Sequence, residues 1–210
     1  MAVTFATRLI YPFLAIIEPV DADVLIVEGW IPERAYAQVA GLSRRGHYRR
    51  VLIVIPVYEG DELYDGPGLF YDDYILSVAV KQGVPAASTH VLLCPATRRD
   101  RTFHCARVAR RWLAEAEPAV SSIDVATLGP HARRSRLLYR MAFGRLPVGA
   151  IALAEQTYDA ERWWNHSSGI RDVFSETLGY LYARVLFRAP TPPHDDAPFV
   201  IPERNARPPR

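Results

Sequence analysis

Five short apolar runs that alternate with helical patterns constrain the fold of this chain more than any other feature. The runs span residues 23–27, 50–55, 89–94, 123–127 and 148–154. Continuously apolar strands separated by amphipathic helices are typical of βαβ units, whose parallel sheet is buried on both faces. The sequence therefore predicts a single α/β domain with a Rossmann-like, mostly parallel sheet of about five strands and helices on both faces.

Apolar residues at helical spacing fill the intervals between these runs and continue after the last one. We predict helices over residues 32–42, 71–82, 101–115, 132–143 and 169–187. The last helix is expected to turn six side chains inward: Ile170, Val173, Phe174, Thr177, Leu181 and Val185. The glycine-containing segment 57–70 is expected to form either a lid over a site or a plain surface loop.

The two ends of the chain differ in composition from its middle. Residues 5–17 are apolar but interrupted by an arginine and a proline, and they fall short of the roughly 18 residues of a membrane-spanning helix. We expect residues 1–22 to form an N-terminal arm that either docks on the domain or anchors it at a membrane surface. Residues 188–210 carry seven prolines and many charges, which predicts a disordered Pro- and Arg-rich tail after a domain over 23–187.

Charge excludes one broad class of function. The 210 residues carry a formal net charge of +2, too small for the strongly basic face of a nucleic-acid-binding protein. The two cysteines, Cys94 and Cys105, lack metal-ligand spacing and are interpreted as buried thiols. We expect a cytoplasmic protein without a nucleic-acid partner. Peripheral contact with a membrane and the oligomeric state stay open.

Arginines crowd the starts of two predicted helices at one edge of the sheet. Residues 95–102 and 129–136, which follow the third and fourth apolar runs, contain three arginines each. Cations are disfavoured at helix N-termini, whereas anions dock there on free N–H groups, and ligands of open α/β sheets bind at this edge. The pattern therefore predicts an anion site, most simply for phosphate. The alternative is that these arginines pair with carboxylates or lie solvated.

The residues predicted to bind the anion, or the rest of the ligand that carries it, come from four parts of the chain. They are Arg99, Arg101, Thr102, Arg133, Arg134, Gly29, Trp30 and Trp164. For Trp164, stacking on a base or sugar competes with ordinary packing beside the preceding tryptophan.

Three titratable residues at the same edge of the sheet are candidates for general acid–base catalysis. Glu28 ends the first run, Asp100 precedes the third-strand helix, and His131 stands at the start of the next. The helix dipole disfavours the protonated form of His131, so we expect a neutral imidazole that relays a proton or, alternatively, only caps or packs. Nucleophile-elbow, Walker and GxGxxG patterns and metal-ligand spacing are absent from the sequence.

Several of these segments together resemble the YdcF/SanA/ElyC-like family. They are residues 24–30, the turn 99–102, residues 129–138, and the pair Trp163-Trp164 leading to Glu176, Gly179 and Tyr180. The resemblance covers about residues 23–187 and implies matching roles for Thr102, for His131 with Arg134, and for a late glutamate at Glu176. The chain departs from the family in having Glu28-Gly29-Trp30 instead of a Gly-rich first turn, and Ile55-Pro56 instead of Gly-Gly.

Function is predicted at the level of ligand class. The leading hypothesis is a site for an anionic, phosphate-bearing small molecule of the nucleotide or polyprenyl phosphate type. The resemblance implies a link to cell-envelope metabolism, and for some family members it implies S-adenosylmethionine binding. S-adenosylmethionine is therefore the alternative ligand or cofactor, and a non-catalytic module that binds a partner or a membrane surface is the third hypothesis. Whether a reaction is catalysed stays open.

Overall fold

The computed structural model describes residues 2–56, 71–95, 97 and 99–190. Its strands are β1 (Ile17–Glu18), β2 (Val24–Glu28), β3 (Arg50–Pro56), β4 (Thr89–Cys94), β5 (Ile123–Leu128) and β6 (Val148–Leu153). Its helices are α1 (Ala2–Leu14), α2 (Tyr36–Arg45), α3 (Tyr71–Lys81), α4 (Arg101–Ala116), α5 (Ala132–Phe143) and α6 (Ser167–Leu181), which continues into a π-helical turn, Tyr182–Leu186. The predicted loop 57–70 and nearly all of the predicted tail lie outside the described residues.

The strands form one sheet in the order β1-β6-β5-β2-β3-β4. β1 runs antiparallel to β6, and all other neighbours are parallel, so the predicted α/β class and mostly parallel sheet are confirmed. The sheet has six strands where about five were expected, because β1 is two residues long and too short to give a sequence pattern. Numbered among themselves, the five parallel strands follow the order 3-2-1-4-5.

Alternate residues of the central strands contribute to two separate apolar clusters. Val24 and Ile26 of β2 pack in one cluster with side chains of α4 and α5. Leu25 and Val27 pack in the other with side chains of α2 and α3. Because side chains alternate along a strand, a strand covered on both sides must be apolar at every position. This explains why residues 24–27 of β2 appear in the sequence as an uninterrupted apolar run.

The predicted inward stripe of α6 is largely wrong. Val173 is buried, but Ile170, Phe174, Leu181 and Val185 are exposed. The helix lies against α1, the start of α5 and two 3₁₀ turns, so the domain covers only one narrow side of it. The helical spacing was correctly recognised, but the apolar stripe faces outward.

The cysteines are not free thiols, contrary to the interpretation from spacing. Cys94 at the end of β4 and Cys105 in α4 form a disulfide, with their Cα atoms 5.4 Å apart. The strand and the helix that follows it pack side by side, which brings together two residues whose sequence spacing carries no such signal. Because disulfides persist mainly in oxidising compartments, this bond does not favour the expected cytoplasmic location.

The N-terminal arm is folded onto the domain. Its helix α1 contacts α6 and the 3₁₀ turns at Gly129–His131 and Ala160–Asn165. Further along the arm, the Val20 amide donates to the buried carboxylate of Asp124, at 2.9 Å. Within the described part of the chain, no helix has both the length and the apolar character needed to cross a bilayer.

Candidate functional site

A pocket of about 600 Å³ opens at the carboxyl edge of the sheet. Its walls are the ends of β2 and β3, the first turns of α4 and α5, and one side of α6. The strand order reverses between β2 and β5, and the connections leaving these two strands therefore diverge and leave a crevice. Seven predicted site residues line this pocket: Glu28, Trp30, Asp100, Arg101, Thr102, His131 and Arg134.

His131 lies between two carboxylates at the bottom of the pocket. Its Nδ1 is 2.9 Å from Glu176 Oε1, and its Nε2 is 3.2 Å from Glu28 Oε2. The indole of Trp30 packs edge-on against the imidazole, with ring centroids 5.0 Å apart. The ring is therefore held in place on both sides and over one face.

Arg134 completes a network of four charged groups. Its Nε donates to Glu176 Oε2 at 2.8 Å, and its Nη2 donates to Glu176 Oε1 at 3.0 Å, so the pair is bidentate. The guanidinium passes close to Gly179, where an added Cβ would lie 3.0 Å from both Cδ and Nε of the arginine. Because Gly179 has no side chain, the Arg134 side chain of α5 can lie against α6 and reach Glu176.

The network reverses the expected protonation of His131. Burial alone would lower the pKa of His131, but the charges of Glu28 and Glu176 and the hydrogen bond to Glu176 raise it to about 9. The same interactions, with Arg134, lower the pKa of Glu176 to about 2 against the effect of burial. The raised pKa of His131 favours an imidazolium over the expected neutral ring, because two adjacent carboxylates outweigh a helix-dipole contribution of about 0.3–1 kcal/mol.

Glu28 is buried and ionised. Burial would raise its pKa, but His131 and a hydrogen bond from the Ser135 hydroxyl, at 2.9 Å, hold it below the usual range. Ser135 is fully buried and its hydroxyl donates to Glu28, so it is a structural hydrogen-bond donor rather than an exposed nucleophile. The Tyr139 hydroxyl, also buried at the pocket wall, has no hydrogen-bond partner among the described groups. Burial raises the pKa of Tyr139, so its hydroxyl is a neutral donor.

The opposite wall of the pocket is the start of α4. Asp100 is its N-cap residue and has a left-handed backbone, with φ 51°, and its side chain makes no capping hydrogen bond. Arg101 and Thr102 occupy the first turn, which contains no acidic residue. The first N–H groups of a helix have no intrahelical acceptor, and the dipole favours negative charge there. This wall can therefore hold an anion through backbone amides, a hydroxyl and a guanidinium.

The other four predicted residues lie elsewhere. Arg99 is exposed and does not line the pocket. Arg133 donates from Nε to the Phe13 carbonyl and lies 4.0 Å above the Phe13 ring, so it fastens α1 to α5. Gly29 is tightly packed, since a Cβ there would collide with side chains of β3. Trp164 lines a separate pocket of about 760 Å³ beside α1.

Two site residues were not found by reasoning from local patterns. Glu176 lies 42 positions after Arg134 and was indicated only by the family resemblance. Tyr139 was missed, although a signal existed: Ser135 and Tyr139 follow His131 at intervals of four residues and therefore share one face of α5. Among the described residues, no group of three or more His, Cys, Asp or Glu is arranged to hold a metal ion.

No protein-family model matches this chain, and no curated protein matches it either. The resemblance to the YdcF/SanA/ElyC-like family therefore stays a prediction based on the quoted residues.

Proposed function

We propose that the pocket binds an anionic small molecule that carries a phosphate group, such as a nucleotide or an isoprenoid phosphate. The observation that supports this most strongly is the start of α4, where Arg101 and Thr102 stand in an uncapped first turn inside the pocket. The strand order supports a Rossmann-like arrangement, in which ligands bind where the order reverses. The family resemblance extends the proposal to cell-envelope metabolism.

The charges of the pocket limit which phosphates fit. Glu28 and Glu176 are balanced by His131 and Arg134, and Asp100 offsets Arg101. Among the lining residues that the structure describes, the side chains are therefore close to neutral in sum before a ligand binds, and the helix start supplies about half a positive charge. A phosphate monoester or diester suits this balance better than a triphosphate, which would bring more negative charge against the three described carboxylates.

His131 is a charged proton donor at the bottom of the pocket. With its pKa raised to about 9 by the two carboxylates despite burial, the imidazole is protonated at neutral pH. Both of its N–H groups face carboxylates, so general-acid transfer to a leaving oxygen would require the contact with Glu28 or Glu176 to open. Tyr139, whose hydroxyl has no partner among the described groups, is a neutral donor on the same wall.

S-adenosylmethionine is the alternative ligand. In Rossmann-like sites an acidic residue at the end of the second strand usually holds the ribose. Here β3, the second of the parallel strands, ends with Ile55 and Pro56, and neither of these two residues can hold a ribose. The alternative depends on the family resemblance alone and is kept as one outcome of the ligand screen.

A thermal-shift screen tests the proposal. Inorganic phosphate, AMP, ATP, an isoprenoid monophosphate and S-adenosylmethionine are added to the wild type, Arg101→Ala and Arg111→Ala. Arg111 lies on the same helix but pairs with Glu115 at the surface, so it is a control with the same change of charge. A ligand at a hundred times its Kd adds about 2.7 kcal/mol to the free energy of unfolding.

We expect monophosphates to stabilise the wild type and Arg111→Ala. Arg101→Ala should bind them about tenfold or more weakly, since a hydrogen bond to a charged group contributes about 1.5–3 kcal/mol. Equal stabilisation of all three proteins by phosphates would place the anion elsewhere. Stabilisation by S-adenosylmethionine alone would favour the alternative ligand.

A further inference from the structure

The outward face of α6 and its π-helical turn is unusually apolar. Seven large apolar side chains there are between 42% and 69% exposed: Ile170, Phe174, Leu178, Leu181, Tyr182, Val185 and Leu186. We refer to these seven residues as the α6 stripe. Single exposed apolar residues are ordinary, but a contiguous set of this size usually marks a surface that binds something.

Helical geometry makes the stripe continuous. Ile170, Phe174, Leu178, Leu181 and Val185 are spaced by three or four residues, so they fall on one side of the helix. Helix α1 packs beside α6 and exposes two further apolar side chains, Leu9 and Phe13. The apolar surface therefore extends across two neighbouring helices.

Arginine dominates the exposed charges of this helix. Between residues 167 and 188 the exposed charged side chains are Arg171, Arg184 and Arg188. Of the two acidic residues of the helix, Asp172 is partly exposed and pairs with Arg171, whose Nε lies 3.3 Å from Asp172 Oδ1, and Glu176 belongs to the pocket. The exposed surface of α6 thus combines large apolar residues with an excess of arginine, carried by Arg184 and Arg188.

The apolar side chains and the excess of arginine together favour one kind of surface as the partner of the stripe. A second copy of the chain, docking by two-fold symmetry, would bring Arg184 and Arg188 of both copies into one interface, where the partly exposed acid of α6, Asp172, already pairs with Arg171. A bilayer rich in anionic lipid accepts both components, because apolar side chains enter the acyl boundary while arginines reach lipid phosphates. We propose that the α6 stripe docks on an anionic membrane surface, with the helix lying parallel to it.

The docking surface adjoins the pocket described above. Glu176 of α6 forms part of the pocket wall, and the hydroxyl of Tyr182 lies 3.5 Å from Asp100 Oδ1 at its rim. A membrane bound to the stripe would therefore lie next to the pocket entrance. The docking itself requires no ligand in the pocket, so it is tested separately from the proposed function.

Vesicle flotation of the full chain tests the docking. The vesicles contain phosphatidylcholine alone or phosphatidylcholine with about 30% phosphatidylglycerol, a fraction chosen to give a strongly negative surface. The proteins are the wild type, a Leu178→Ser/Val185→Ser variant and a Val80→Ser control. Val80 is an exposed apolar residue of α3, on a different helix. Circular dichroism and size-exclusion chromatography with light scattering establish that each protein is folded and give its mass.

We expect the wild type and the control to float with anionic vesicles, and to do so less at high salt, where the arginine contribution is screened. The double variant should lose about tenfold or more of the partition coefficient, since serine replaces two aliphatic side chains that would enter the bilayer. Absence of flotation of the wild type, or equal flotation of the double variant, would overturn the proposal. So would a wild-type dimer that becomes monomeric in the double variant, because a second copy would then cover the stripe.

Discussion

The pKa of His131 predicts how replacing this residue changes stability with pH. His131 is 7% exposed, and the two carboxylates raise its pKa from 6.5 to about 9 against the effect of burial. At about 1.4 kcal/mol per pKa unit, the protonated form contributes about 3 kcal/mol to the free energy of unfolding. We expect His131→Gln to lose this contribution, because glutamine carries no charge to place between Glu28 and Glu176.

The pH window follows from the sign of the shift. A group whose folded pKa is raised stabilises fully below its unfolded pKa and loses that stabilisation as the pH rises through the folded pKa. The contribution of His131 is therefore complete below about pH 6.5 and disappears by about pH 9.5. Glu176 determines where stability is lost in acid. Burial would raise its pKa, but His131 and Arg134 lower it to about 2. Its contribution to the free energy of unfolding therefore decreases as the pH falls below about 4.5.

Urea unfolding of the wild type, His131→Gln and His47→Gln at pH 6 and pH 9.5 measures this effect. His47 is an exposed histidine, so its replacement controls for the loss of an imidazole elsewhere. The difference between wild type and His131→Gln should be about 3 kcal/mol larger at pH 6 than at pH 9.5, while His47→Gln follows the wild type. An equal difference at both pH values would show that His131 is neutral when folded and would refute the assignment of an imidazolium.

Three further outcomes are expected. Glu176→Gln should lower the free energy of unfolding by about 3 kcal/mol, measured in urea, because the buried His131 and the partly buried Arg134 lose their shared carboxylate. Reduction of the Cys94–Cys105 disulfide should cost about 2–3 kcal/mol, and a double serine variant should melt at one temperature with or without reductant. Gly149→Ala should destabilise by about 3 kcal/mol or more in the same urea assay, since its Cβ would lie 1.9 Å from an oxygen of the buried Asp124.

The parallel strands could be predicted because most of their residues are buried, although β4 is buried only at Thr89, Leu92 and Cys94. The predicted run 50–55 and the strand Arg50–Pro56 differ by one residue, and the run 89–94 coincides with β4. Such strands need no knowledge of their neighbours to be recognised. By contrast, β1 exists only because Ile17 and Glu18 pair with the edge of β6, a long-range contact that two residues cannot encode.

The outward orientation of α6 shows a second limit. Helical periodicity indicates that Ile170, Phe174 and Leu181 share one face of the helix. It does not indicate whether that face packs on the domain or points away from it. The inward side of α6 is instead occupied by Val173 and by Glu176, whose charge is compensated by residues of α5. An apolar stripe on a helix is normally predicted to face the core. This prediction is wrong where the helix lies at the edge of the fold.

The sequence predicts where the site residues lie better than it predicts which residues they contact. Glu28, Arg101 and His131 were placed at one sheet edge because strand ends meet there, a rule that depends only on topology. Whether Arg134 binds a ligand or a carboxylate depends on Glu176, which comes from a helix two elements later. Replacing Arg134 would therefore disturb the buried ion-pair network as well as any bound ligand.

The pocket consists of two walls with different chemistry, and this division predicts which property each perturbation changes. The wall of α5 and α6 is a closed network in which every charge has a partner, so it sets the protonation of His131. The wall of α4 carries Arg101 and Thr102, and the Cys94–Cys105 disulfide joins α4 to the strand before it. Reduction of the disulfide should accordingly weaken phosphate binding while the pKa of His131 stays unchanged, and His131→Gln should alter the pH dependence of stability while the start of α4 keeps its geometry.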